Sequence, residues 1–362
     1  METLATPAPR TTGRLAYQSA LDGLRAVAIL AVMAFHDSAP WATGGFLGVD
    51  VFFVLSGFLI STLLAEEHAR SGRIRLQAFY LRRALRLLPA LVALCAVLQL
   101  YSLNFVFAQQ VAELRRETVA TLLYVANWAQ AFGAVDPLGF LGHAWSLAIE
   151  EQFYIVWPLV LGALLPALSR SAAIAAIIAG AAGSAVLRAA LWHGPESAAR
   201  VFHGSDTRAE ALLIGCALAL VLHQHHRDFS AAWKETVRAA ALAGVVALAL
   251  LLHFASPEAA WMYRGGFTLA ALASAAILAE LRISPAGWLA GALSLAPLVA
   301  IGRISYGLYL WHWPVDLVLA PQWTGLPPAL LSLARLAATL SAATLSWLLV
   351  ERPFLRWKQR WT

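Results

Sequence analysis

Charge is scarce in this chain. Only 13% of its 362 residues are Asp, Glu, Lys or Arg. Soluble domains carry about a quarter charged residues, and no stretch here is polar enough to fold as a separate domain in water. Cysteine is nearly absent: Cys95 and Cys216 both fall within apolar runs, which excludes a disulfide framework and a Cys-rich metal site and leaves the redox compartment open. His223, His225 and His226 in HQHHRD lack carboxylates placed to complete a zinc site, so no metal is expected. There is no phosphate-cradling glycine loop and no Gly-x-Ser-x-Gly elbow. The N-terminus has no short apolar core followed by a small-residue cleavage site, so the first apolar segment is expected to stay in the protein.

What the chain does have is length in its apolar runs. Hydrophobic residues make up 60% of it, and several stretches of about 18 to 24 residues carry few or no charges, enough to cross a bilayer. The expected fold is all-α, a polytopic helix bundle with about ten spans, at 21–38, 46–65, 85–105, 145–165, 172–192, 207–223, 238–254, 263–281, 302–320 and 330–350. The segment 118–133 is apolar but short. Taking it as a surface or re-entrant helix puts the basic loops around Arg73 to Arg86, at Arg170, around Lys234 and at Arg282 on one side with both termini. Taking it as an eleventh span scatters them. The bias of Lys and Arg toward the cytoplasm therefore favours ten spans in an inner (cytoplasmic) membrane, with cytoplasmic termini. The expected organisation is a cytoplasmic segment 1–20, a transmembrane domain 21–352 and a basic tail 353–362. The net charge of +6 is explained by this topology, so membrane lipids and no nucleic acid are the expected surroundings.

Arg25 and His36 lie inside one apolar segment, LDGLRAVAILAVMAFH. A charge at the centre of a span costs about 2.5 to 3.5 kcal/mol on insertion scales, so an ionisable pair there points to function. Their spacing is close to a whole number of turns, which puts both on one helix face about 16 Å apart along the axis. A neutral imidazole shielded from bulk water suits a general base. GGFLGVDVFFVLSGFLIS carries Asp50 among small residues, read equally as helix packing or as a site. In FYLRRALRLLPAL, Arg82 and Arg86 share a face, a geometry suited to phosphate as well as to membrane anchoring. HAWSLAIEEQFYIVWPL places Glu150 and Glu151 about 100° apart on a helix, so one of them is expected to face the interior. Arg208 in DTRAEALLIGCALA is expected to pair with one of these two carboxylates. In IGRISYGLYLWHWPV, Ser305, Tyr309 and His312 fall on one face, and Pro314 is placed to kink the helix. In VERPF, Glu351 reads as a helix end with a salt bridge to Arg352.

Taken in this order, these seven motifs resemble the acyltransferase family 3 membrane proteins, from about Tyr17 to Arg356. The family's Arg-x10-His signature falls on Arg25 and His36, its Arg-x-x-Arg on Arg83 and Arg86, and its Glu-x-Pro on Glu351 and Pro353. The resemblance implies transfer of an acyl group, usually acetyl, from cytoplasmic acyl-CoA to a hydroxyl of an O-antigen or other glycan, a lipid-linked saccharide or a macrolide. Many relatives add a hydrolase-like domain after the last span, so a second transfer step is expected to need another protein. The expected catalytic set is His36 as base, with Arg25, Glu150 and Glu151. Asp37, Glu150 or Glu151 would orient the imidazole. The expected donor-binding set is Arg82, Arg83, Arg86, Arg303, Tyr309 and His312. Direct transfer and an acyl-enzyme route both stay open. The rival function is a transporter or flippase of a lipid-linked glycan using the same charged seam.

Overall fold

A computed structural model describes residues 17–105, 108–224 and 229–358. Arg10, Arg14, His225, His226 and the end of the basic tail lie outside the described residues. Among those described, every regular element is helical, as an apolar solvent demands: with no water to bond to, backbone groups are satisfied within each helix. In chain order the helices are α1 (Ser19–His36), α2 (Gly48–Ser71), α3 (Leu76–Phe105), α4 (Ala108–Leu122), α5 (Ala126–Ala131) and α6 (Trp145–Ala167). There follow α7 (Arg170–Leu191), α8 (Ala198–His203), α9 (Ser205–Gln224), α10 (Ala231–Phe254), α11 (Phe267–Ile283) and α12 (Trp288–Leu293). The chain continues through α13 (Ala296–Arg303), α14 (Ser305–Val318), α15 (Pro321–Thr324), α16 (Pro328–Ser346) and α17 (Arg352–Lys358). Ser169 and Ser230 cap α7 and α10, each side chain accepting a hydrogen bond from a first-turn amide.

Eight of these helices are long and apolar enough to cross a membrane: α1, α2, α3, α6, α7, α10, α11, and α16 with its continuation into α17. The expected spans at 207–223 and 302–320 are helical but fall outside this set, for different reasons. α9 carries Asp206, Arg208 and Glu210 in its first two turns, and those charges are held by protein. Arg208 pairs with Asp50 of α2 at 2.9 Å and Arg188 of α7 pairs with Glu210 at 2.5 Å, all four side chains being buried. The expectation that Arg208 meets Glu150 or Glu151 is thus replaced by a pair with Asp50. Removing one partner of such a pair strands a buried charge at a cost of about 3 to 5 kcal/mol, which ties α9 to α2. The backbones meet closely: a Cβ on Gly57 would fall 1.9 Å from the Leu212 carbonyl oxygen. The other expected span is divided, because α13 stops at Arg303 and α14 restarts at Ser305. The break lies ahead of Pro314, which sits within α14.

The segment 118–133 is not one helix. α4 ends at Leu122, Tyr124 adopts a left-handed backbone with φ 55°, and α5 then runs for six residues. Amides hold this bend against the bundle. Gln152 of α6 donates to the Tyr124 carbonyl at 2.7 Å and to Asn127 at 2.9 Å, while Asn127 donates to the His203 carbonyl at 3.0 Å. The bundle has a distinct inside: 78% of the apolar window of α2 is buried, against 17% for that of α16. The apolar core gathers residues from α1, α2, α3, α6, α9, α11 and α14.

Candidate active site

Five helices, α1, α2, α3, α6 and α14, enclose a cavity of about 810 Å³, within the size range of small-molecule and cofactor sites. Its mouth is marked by Arg75, whose side chain is 62% exposed and bonded to Glu67 at 2.8 Å. Six arginines line it: Arg25, Arg70, Arg75, Arg82, Arg83 and Arg86. The last three share the wall because they occupy positions 1, 2 and 5 of one helical turn and the start of the next. Arg25 is held by Asp22 at 2.7 Å. The Arg83 guanidinium lies 3.9 Å from the centre of the Tyr154 ring, and its Nε–H has no hydrogen-bond partner among the described residues. Glu150 also lines the cavity, accepting hydrogen bonds from the hydroxyls of Ser56 and Tyr154. The lining therefore offers several planar cationic groups, suited to an anion with more than one phosphate.

Deeper along α6 and α14, the cavity meets a pair of hydroxyls. Ser146 Oγ and the Tyr309 hydroxyl are 2.5 Å apart, and the Tyr309 hydroxyl donates to the His143 carbonyl at 2.9 Å. Behind them stand three histidines, none of which lines the cavity. His36 Nδ1 and His312 Nε2 are 2.9 Å apart with the rings stacked, and Trp313 flanks His36 with ring centres 4.8 Å apart. His312 has no exposed surface. His143 packs edge-on against it, the ring centres 5.4 Å apart.

The sequence-based expectations divide on this geometry. Arg25, Arg82, Arg83, Arg86, Glu150 and Tyr309 come together on one cavity. His36 and His312 stand behind it. Glu151 does not line it, as the angular offset from Glu150 required of one of the two. Arg303 lies outside, 59% exposed and bonded to the Tyr17 hydroxyl at 3.1 Å. Asp37 does not orient His36, because its carboxylate is taken by Arg335 of α16 at 2.8 Å. Glu150 does not orient it either, being engaged by Ser56 and Tyr154. Glu351 is buried on a helix that runs on into α17, and it accepts from Ser346 at 3.3 Å instead of ending a helix beside Arg352. Ser56, Tyr154 and Arg335 were not among the expected site residues. Arg335 carries a usable signal, a lone cation inside the apolar run PALLSLARLAATL.

A family model described as an acyltransferase domain matches residues 18–351. The chain is 35% identical over 350 residues to the peptidoglycan O-acetyltransferase OatA of Listeria monocytogenes, covering 93% of this chain and 56% of that protein. It is 34% identical over 345 residues to the O-acetyltransferase OatA of Staphylococcus aureus, covering 93% of this chain and 57% of the relative. The chain thus spans a little over half the length of the curated relatives it matches. No solved structure matches it.

Proposed function

This chain belongs to acyltransferase family 3, and from that membership we propose that it is a membrane O-acetyltransferase that moves acetyl from acetyl-CoA to a glycan hydroxyl. The observation that carries the reading is the cavity in which Arg82, Arg83 and Arg86 stand near the mouth and Ser146 and Tyr309 at depth, with His36 behind them. The arginines hold the donor's phosphates. The pantetheine arm runs inward along Arg25, and the acyl end rests against the two hydroxyls. When the Ser146–Tyr309 hydrogen bond opens, His36 takes the proton of the acceptor hydroxyl, the oxygen attacks the thioester carbonyl, and the carbon–sulfur bond breaks. The departing thiolate takes up the proton to give free CoA. Passage of the acetyl group through an enzyme-bound ester obeys the same balance.

The basic mouth faces the cytoplasm of a bacterial inner membrane, and the acceptor approaches His36 from the other side. Among acceptors, the name of the Listeria monocytogenes relative, a peptidoglycan O-acetyltransferase, favours a cell-wall glycan over an O-antigen sugar or a macrolide. Family membership likewise favours an enzyme over a flippase.

The test is incubation of purified protein in nanodiscs with radiolabelled acetyl-CoA. Wild type should bind the donor and consume its acetyl group, while His36→Ala should bind it and turn over at least about 100-fold more slowly, the range of general-base catalysis. Absence of acetyl-CoA binding, or turnover indifferent to His36→Ala, would overturn the reading.

A further inference from the structure

The carbonyl groups around His312 determine where the histidine protons sit. His312 Nδ1 lies 2.7 Å from the Tyr309 carbonyl oxygen and 3.2 Å from that of Leu308. A carbonyl only accepts, so Nδ1 carries the hydrogen, and the Nε2 of the neutral ring carries a lone pair. His36 Nδ1 faces that lone pair at 2.9 Å. It must therefore be the donor, and the free lone pair of His36 is left on Nε2. Among the described residues no carboxylate is bonded to His36: Asp37 is bound by Arg335 and Glu150 by two hydroxyls. His143, the other titratable ring packed here, makes no hydrogen bond to either histidine.

We propose that His312 is a positioning residue that holds His36 as its Nδ1–H tautomer, so that Nε2 is the basic atom presented to the acceptor hydroxyl. The proposal rests on the reading of His36 as the base. The orienting partner in this arrangement is a neutral ring, not an anion. It fixes geometry and tautomer as a triad carboxylate does, but it adds no full charge to retain the proton that His36 gains. That proton is correspondingly easy to return to the departing sulfur.

The experiment is nitrogen NMR of histidine-labelled protein, with the His36 signals assigned by their loss in His36→Ala, together with kinetics of His312→Leu and His312→Gln. Wild type should show His36 protonated on Nδ1. His312→Leu should shift His36 toward the Nε2–H form and lower kcat by roughly 100-fold with little change in the acetyl-CoA KM. His312→Gln, whose Oε1 can accept from His36, should restore much of the loss. The proposal fails if wild-type His36 is protonated on Nε2, a result readable even if the variants fold poorly. It fails also if both His312 variants keep wild-type kcat while His36→Ala is inactive. Full activity of His36→Ala would instead remove the base on which the proposal rests.

Discussion

Arg86 stands one turn beyond Arg82 and Arg83 and lines the same cavity as Arg25, Glu150 and Tyr154. Hydrogen bonds to charged groups contribute about 1.5 to 3 kcal/mol, so Arg86→Ala should raise the acetyl-CoA KM about 10- to 100-fold and change kcat less. Initial-rate kinetics decide this, and an unchanged KM would place the phosphates elsewhere. Arg25 and His36 were legible in the sequence because each is an ionisable residue in an apolar run and both fall on one face. Arg335 has the same signature, yet its partner Asp37 lies 298 positions away, and no local pattern could assign the pair. His312 shows the opposite limit. Periodicity put it correctly on the face of Ser305 and Tyr309, but a helix face continues past the point where a cavity closes, and only the packing of α1 and α6 sets that point.

At the scale of elements, a buried carboxyl joins α4 to the loop that leads into α6. Glu117 of α4 accepts a hydrogen bond from the Leu141 amide at 2.8 Å, and a Cβ on Gly139 would fall 1.8 Å from its carboxylate oxygen. Burial pushes its pKa from 4.5 up to about 7, against the opposing effect of the Leu141 amide and with help from the charges of Glu113 and Asp136. The folded state therefore holds this proton where the unfolded chain has lost it. The resulting stability is fully present below pH about 4.5 and is lost as pH rises through about 7. Thermal unfolding in detergent should show wild type losing stability across that window relative to Glu117→Gln, which keeps an acceptor for Leu141 without titrating. Parallel curves would dismiss Glu117 as the source. That 118–133 is too short to span could be read from its length and from the charge of the flanking loops. The bend itself could not, since Tyr124 carries no turn signal and the amides of Gln152 and Asn127 come from separate segments.

For the whole molecule, helical class and family were legible because apolar runs and motif order survive without tertiary information. The partners of α9 were not, because the charges in its first two turns are met by Asp50 of α2 and Arg188 of α7, which no local pattern connects to it. Sidedness is testable with the existing cysteines in place, since Cys95 and Cys216 are buried. Arg73→Cys at the basic end should react with an impermeant thiol reagent only after the membrane is opened, and Glu258→Cys should react in intact cells. The reverse pattern would invert the proposed orientation. The partition formed by Ser146, Tyr309 and His312 has an electrical consequence. An open cavity takes the potential of the solution it joins, so a membrane voltage does not fall evenly over the bilayer thickness but falls over the protein between the inner end of the cavity and the opposite face. A unit charge crossing the full drop changes energy by about 2.3 kcal/mol per 100 mV. Charges held by the arginines of the cavity thus sit at nearly the potential of the solution at its mouth, and the membrane voltage acts on what moves beyond Ser146 and Tyr309.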